Sequence, residues 1–230
     1  MKEVVKELKI LGTKERAEAA KWFFKTGKGE YGYGDLFFGV TVPEQRKIAK
    51  KYKDISLEEV KKLLYHKVHE CRLTGLLILV HKYKDGKEKD EIVSFYLDNL
   101  KQVNNWDLVD STAPYILGDY LLGKDKKVLY RLASSKNLWE RRVSIVTTLG
   151  FVNNNELEDA LKLSKILLKD KHDLIHKAVG WVLREVGKKD VKKLEEFLKT
   201  NYDEIPRTTL RYAIERFEET KRKKYLKKKF

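Results

Sequence analysis

An all-α fold is what this sequence predicts: stacked antiparallel helical hairpins forming one continuous solenoid over residues 1–230, with a basic concave surface. Three observations lead there. Apolar residues recur at three- and four-residue spacing along almost the whole chain. The stretches between them are short and polar, at Lys84–Lys87, Gly123–Lys126, Asn153–Asn155 and Gly187–Asp190. Only three residues are proline, and alternating β-branched runs of the kind a sheet needs are few.

Taken in order, the first interruption of helix is Thr26–Asp35 (TGKGEYGYGD), with four glycines in ten residues, which reads as a loop connecting the first helical hairpin to the next. Leu57, Val60, Leu63 and Leu64 then make one apolar stripe, and Ser56 with Glu59 gives a capping-box signal at its start. Leu73, Leu76, Leu77 and Val80 make a second, and Ile92, Phe95 and Tyr96 a third. Later stripes run through Val143, Val146 and Leu149, then Leu157, Leu161 and Ile166, then Ala178, Val182 and Val186. The pattern accounts for about 12–13 helices. Each hairpin would bury its stripe only against its neighbours, as in repeat arrays.

Hydrophobic residues make up 42% and charged residues 37%, a balance that excludes general disorder. Fifty Lys and Arg stand against 35 acids, a net charge of +15. A polyanion is the usual physical partner of such an excess, because each phosphate contact releases condensed counterions. The alternative is a lysine-rich surface with no particular partner. Cys71 is the only cysteine, which excludes an internal disulfide, and its apolar helical setting reads as core rather than nucleophile. No signal-peptide core precedes Val40, and the longest apolar run, Leu76–Val80, cannot span a bilayer. The expectation is a cytoplasmic protein with no membrane partner, and a monomer, since no exposed heptad run suggests assembly. The basic run Lys221–Lys227 reads as a solvated tail.

Chemistry-bearing patterns are sparse. His66 and His69, three apart, have no partner pair of metal-ligand spacing, and His81, His172 and His176 add none. The glycine-rich loop lacks the Lys-Ser/Thr ending of a phosphate-binding loop, and serine-elbow and dinucleotide patterns are missing. No metal or cofactor is expected. Three segments remain. In Asn104–Asp110 (NNWDLVD), Asn105 can cap a helix on which Trp106 and Asp110 share a face, with Asp107 beside them. Trp139–Arg142 (WERR) opens a helix that sets Arg142 among apolar positions. Gly180–Glu185 (GWVLRE) places Trp181 beside a glycine and one turn from Arg184. Each alone has a packing explanation; together they supply two aromatics, an arginine and a carboxylate on a very basic chain.

These segments carry a resemblance. NNWDLVDS, LWERRVSI and HKAVGWVLRE resemble those of the DNA alkylation repair family of AlkD-like, HEAT-repeat glycosylases, as do KTGKGEYGYGDLFFGVTVPEQRKIAKKY near the start and PRTTLRYAIERF near the end. The match spans nearly the whole chain, in order. It implies a HEAT-like fold and a monofunctional DNA glycosylase of base excision repair, acting on double-stranded DNA that contains cationic alkylated purines (3-methyladenine, 7-methylguanine). It places Asp110 as the catalytic carboxylate, Trp106 and Trp181 beside the lesion-bearing backbone, and Arg142 as a phosphate contact, with Arg184 as a second. Two positions depart from the family pattern: Phe23 stands where relatives carry tyrosine, and Asn105 where some carry a second tryptophan. The competing expectations are a non-catalytic HEAT-like module for damaged or branched DNA, and a helical scaffold for proteins.

Overall fold

The computed structural model describes residues 1–230. It is all-α, with 15 α-helices, two short 3-10 turns and no strand; one isolated parallel bridge joins Leu36 to Val68. The count exceeds expectation because several helices, of five to seven residues, are too short to display a period. The chain divides into two compact units, residues 1–112 and 113–230.

The first unit holds α1 (Lys2–Leu11), α2 (Lys14–Phe23), α3 (Val42–Lys51), α4 (Leu57–Leu64), α5 (His69–Lys84), α6 (Lys89–Asp98) and α7 (Trp106–Asp110). Its core is built on α5, against which α3 and α4 pack and which α1, α6 and α7 also touch. A helix enclosed on every side has no polar face, and from His69 to Val80 every residue of α5 is buried. Three of those residues, His69, Glu70 and Arg72, bear charge-capable groups, so each needs a partner.

Caps explain where several helices begin. Thr13, Thr41, Ser56 and Asn105 each accept a backbone N–H from the first turn that follows. At the capping box expected at Ser56, Ser56 Oγ accepts from Glu59 N–H at 3.3 Å, and the Glu59 carboxylate also takes the N-terminal ammonium at 2.5 Å. Thr41 and Glu44 form a capping box with both bonds present.

The second unit holds α8 (Ala113–Tyr120), α9 (Lys127–Ala133), α10 (Leu138–Asn153), α11 (Glu158–Leu167), α12 (Asp173–Lys189), α13 (Val191–Thr200), α14 (Arg207–Ala213) and α15 (Glu219–Leu226). Helices α10 and α12 pack together at its centre, with α8, α9 and α11 on the first and α11, α13 and α14 on the second. Glycines permit the closest crossings: Gly118 of α8 and Gly150 of α10 meet backbone to backbone, and a Cβ on Gly180 of α12 would lie 2.7 Å from the Thr209 carbonyl oxygen of α14.

Three expectations change here. The stripe on α11 is Ala160, Leu163 and Leu167, all buried, whereas Leu161 is half-buried and Ile166 is exposed. The Gly187–Asp190 connection shrinks to one residue, because α12 runs on to Lys189 and Asp190 caps α13, accepting from Lys193 N–H at 3.1 Å. The basic run Lys221–Lys227 is not a tail but most of α15, held by a buried Tyr225 whose carbonyl accepts from the Tyr202 hydroxyl at 2.6 Å.

Candidate active site

Helix α7 is only five residues long. Asn105 fixes its start, Oδ1 accepting from Trp106 N–H at 2.8 Å. Asp107, Leu108 and Val109 are buried, while Trp106 and Asp110, one turn apart, are half-buried. The expected shared face for Trp106 and Asp110 is therefore present, and Asp107 takes a different direction. Tyr96 beneath is fully buried, and burial raises its phenol pKa, with the Asp110 charge adding to the effect. The Tyr96 hydroxyl pairs with Thr112 Oγ1 at 2.9 Å.

Asp107 enters an ionic cluster. Its Oδ2 lies 2.7 Å from His69 Nε2, and its Oδ1 accepts from Leu108 N–H at 2.9 Å. His69 Nδ1 faces Asp35 Oδ2 at 3.2 Å, and Arg72 Nη2 donates to Asp35 Oδ1 at 2.7 Å. Burial alone would depress the His69 pKa, but the charge and hydrogen bond of Asp107, with the hydrogen bond of Asp35, overcome it and raise the value to about 9. Burial opposes ionisation of Asp35 too; the bonds and charges of His69 and Arg72 win, and its pKa falls. Next to His69, Glu70 accepts three backbone N–H groups, from Phe38 (3.1 Å), Gly39 (2.7 Å) and Val40 (3.2 Å).

Aromatic rings cover this cluster. The His69 ring centroid lies 4.7 Å from Phe24 and 5.1 Å from Phe37, and Phe24 stacks on Trp106 at 5.5 Å. Phe23 meets Trp106 edge-on at 5.6 Å, a contact of rings that offers no hydroxyl. A cavity of about 150 Å³ adjoins the cluster, bounded by Phe24, Phe37, Gln45, His69, Glu70 and Asp107.

The remaining expected site residues belong to the second unit. Arg142, on α10, is buried, and its Nη1 donates to the Leu174 carbonyl at 2.6 Å. Trp181, on α12, is half-buried beside Gly180, whose missing side chain lets α14 approach. Arg184 is half-buried and paired with Glu215, and with Glu185 at 3.4 Å.

The model of the family described as DNA alkylation repair enzyme matches residues 4–217. The chain belongs to this family. A protein described as a predicted DNA alkylation repair enzyme from Enterococcus faecalis superposes with a TM-score of 0.74 at 18% identity, over 90% of this chain and 97% of that one. AlkD2 from Streptococcus mutans gives 0.56 at 19% identity, over 90% and 99% of the two chains, and smu.31 from Streptococcus mutans UA159 gives 0.55 at 22%, over 77% and 93%. At such identities the likeness is one of fold, the helical-repeat architecture expected from the resemblance. No curated protein matches at a significant level. Membership of the alkylation repair family supports a role in repair of alkylated DNA.

Sequence reasoning missed the inner part of this family member's first unit: Asp35, His69, Arg72, Phe24 and Phe37. A signal was present. HECRLTGLLILV sets three ionisable groups at the mouth of an apolar run, and such groups on a buried helix must find opposite charges elsewhere in the chain. Cys71, in the same turn, is core as expected; burial pushes its thiol up to about 12, far from the thiolate a nucleophile needs. No helix of the chain is long and apolar enough to cross a membrane.

Proposed function

We propose that this protein is a monofunctional DNA glycosylase that hydrolyses the N-glycosidic bond of cationic alkylated purines, such as 3-methyladenine and 7-methylguanine, in double-stranded DNA. One observation carries the reading: on α7 Asp110 and Trp106, one turn apart, stay partly exposed while everything between them is buried. A partly exposed carboxylate beside a tryptophan, in a chain of net charge +15, suits a reaction centre that becomes positive.

Alkylation at N3 of adenine or N7 of guanine makes the base cationic and weakens its bond to the sugar, so the leaving group needs no strong acid. Departure leaves oxocarbenium character on the deoxyribose, as in glycoside hydrolysis. In this reading ionised Asp110 stabilises that charge and orients the attacking water. Trp106 and Trp181 pack on the sugar and supply cation–π attraction of about 0.5–2 kcal/mol. Arg142 and Arg184 hold backbone phosphates, for which the planar guanidinium fork suits two oxygens at once. The whole chain, 1–230, acts as a single glycosylase domain, as a monomer and without cofactor.

The test is release of free base from duplexes carrying 7-methylguanine or 3-methyladenine. Asp110→Asn is expected to bind such DNA with wild-type affinity and to lose at least about 10²-fold in release, the scale of removing one charge-stabilising group. Unchanged release refutes the role of Asp110. A wild-type protein that binds the duplex and frees no base refutes the glycosylase reading in favour of a non-catalytic DNA-binding module.

A further inference from the structure

Three segments distant in sequence meet at His69: the end of the glycine-rich loop through Asp35, the first turn of α5, and the first turn of α7 through Asp107. Both ring nitrogens face carboxylate oxygens, so both bonds exist together only when each nitrogen carries hydrogen, that is, as the imidazolium. With Arg72 on Asp35, the cluster sums to two positive and two negative charges, a balance that makes its burial tolerable. A helix of five residues cannot hold its own direction, since isolated helices below about 12 residues are marginal in water. Its orientation depends on what grips it. The Asp107 carboxylate is bound at once to His69 and to the Leu108 N–H of α7, and the His69 ring lies against Phe24, which stacks on Trp106.

We propose that His69 is a positioning residue of the site, clamping α7 through Asp107 and Trp106 through Phe24, so that Asp110 is aimed at the reacting sugar. The charged groups facing it are Asp107 from α7, Asp35 from the loop and Arg72 from its own helix; Phe24, just after α2, and Phe37 add only uncharged rings. Loss of its proton leaves one carboxylate uncompensated and frees the start of α7. The elevated pKa of about 9 agrees with the geometry. The kinetic part of this proposal rests on the glycosylase reading; the structural part does not.

The first experiment compares wild type with His69→Gln, whose side chain keeps one hydrogen bond but cannot donate to both carboxylates. Single-turnover release of 3-methyladenine is expected to slow about 10²-fold, the cost of a small misplacement of reacting groups, while the Kd for the same duplex is unchanged. The wild-type rate is expected to fall as pH rises through about 9, and the variant to lack that limb. A folded variant with the wild-type rate, or one whose rate and affinity fall in proportion, overturns the proposal. The second experiment needs no activity and leaves His69 in place. The ¹³C-histidine NMR titration of wild-type His69 is followed beside the Trp106 fluorescence, taken as the difference from Trp106→Phe. The imidazolium signal should persist to about pH 8, and Trp106 emission should change in step with its loss. A His69 that titrates near 6.5, or an indifferent Trp106, overturns the clamp. If the coupling holds while wild type releases no base, the glycosylase reading fails and the clamp stands.

Discussion

Single residues in this protein are decided by how burial is balanced against charge. His69 is nearly inaccessible, a setting in which a neutral imidazole is the cheaper form, yet two carboxylates keep it protonated. The consequence for stability has a definite sign. A histidine whose folded pKa is raised from 6.5 to about 9 binds its proton more tightly when folded, so its contribution is complete below about pH 6.5 and fades as pH rises through about 9. The size is on the order of 3 kcal/mol for a shift of this kind. Asp35 works in the opposite sense: its lowered pKa stabilises above the ordinary value of 3.8 and is lost as pH falls through the folded value. Thermal unfolding from pH 6 to 10 should therefore show a declining Tm in the wild type, and His69→Gln should converge on it at the alkaline end. A constant gap between the two across that range would mean that the proton on His69 contributes nothing. No periodicity in the sequence could have shown this cluster. His69 lies 34 residues from Asp35 and 38 from Asp107; the first pair meets where the bridge at Leu36 and Val68 lays the loop along the start of α5, the second where α7 touches α5.

At the scale of helices, the sequence was legible wherever an element was long and one-sided, and misleading elsewhere. The stripes on α4 and α12 agree with the structure because each helix faces the core along one strip. On α11 leucine and isoleucine at wrong registers, Leu161 and Ile166, drew attention from Ala160, which is fully buried but too small to mark a stripe. Asn105 and the Trp106–Asp110 turn were readable because a cap and its first turn are local. Gly187 looked like a stop and is instead a contact point: its Cβ would lie 2.4 Å from Leu194 Cδ2. That contrast with Gly150 yields a prediction. A Cβ on Gly150 would meet Gly118 Cα at 2.7 Å and the Pro114 carbonyl oxygen at 2.8 Å, all backbone that cannot yield without separating α8 from α10. Helix propensity favours alanine over glycine by about 1 kcal/mol, whereas overpacking costs about 1–3 kcal/mol or more. Gly150→Ala should be net destabilising by calorimetry, whereas Gly187→Ala, opposed only by the tip of a leucine that can rotate, should be close to neutral. Equal effects of the two substitutions would show that the α8–α10 crossing is not held by backbone contact.

For the whole molecule the governing quantity is the charge of +15, and DNA is the partner that membership of the alkylation repair family suggests. The excess is not spread over equivalent side chains. Arg142 is buried with one N–H already directed at the Leu174 carbonyl, so its guanidinium is held in place before any phosphate arrives. Arg184 is paired with Glu215 and Glu185, so a phosphate must compete with carboxylates for it. Under the proposed roles both arginines should contribute to the salt dependence of binding. Each phosphate neutralised contributes about 0.9 to the slope of log K against log salt on duplex DNA. Arg142→Ala should lower the slope. Arg184→Ala should remove less than one phosphate's worth, because the wild-type arginine is already partly neutralised by its carboxylates. Glu215→Gln should act in the reverse direction, releasing Arg184 and removing a negative charge near the phosphates, so that duplex affinity rises and the slope steepens. Fluorescence anisotropy with undamaged duplex between about 50 and 200 mM salt reads all three. If Glu215→Gln leaves affinity and slope untouched, Arg184 meets no phosphate and its ion pair serves only to tie α12 to the residues after α14.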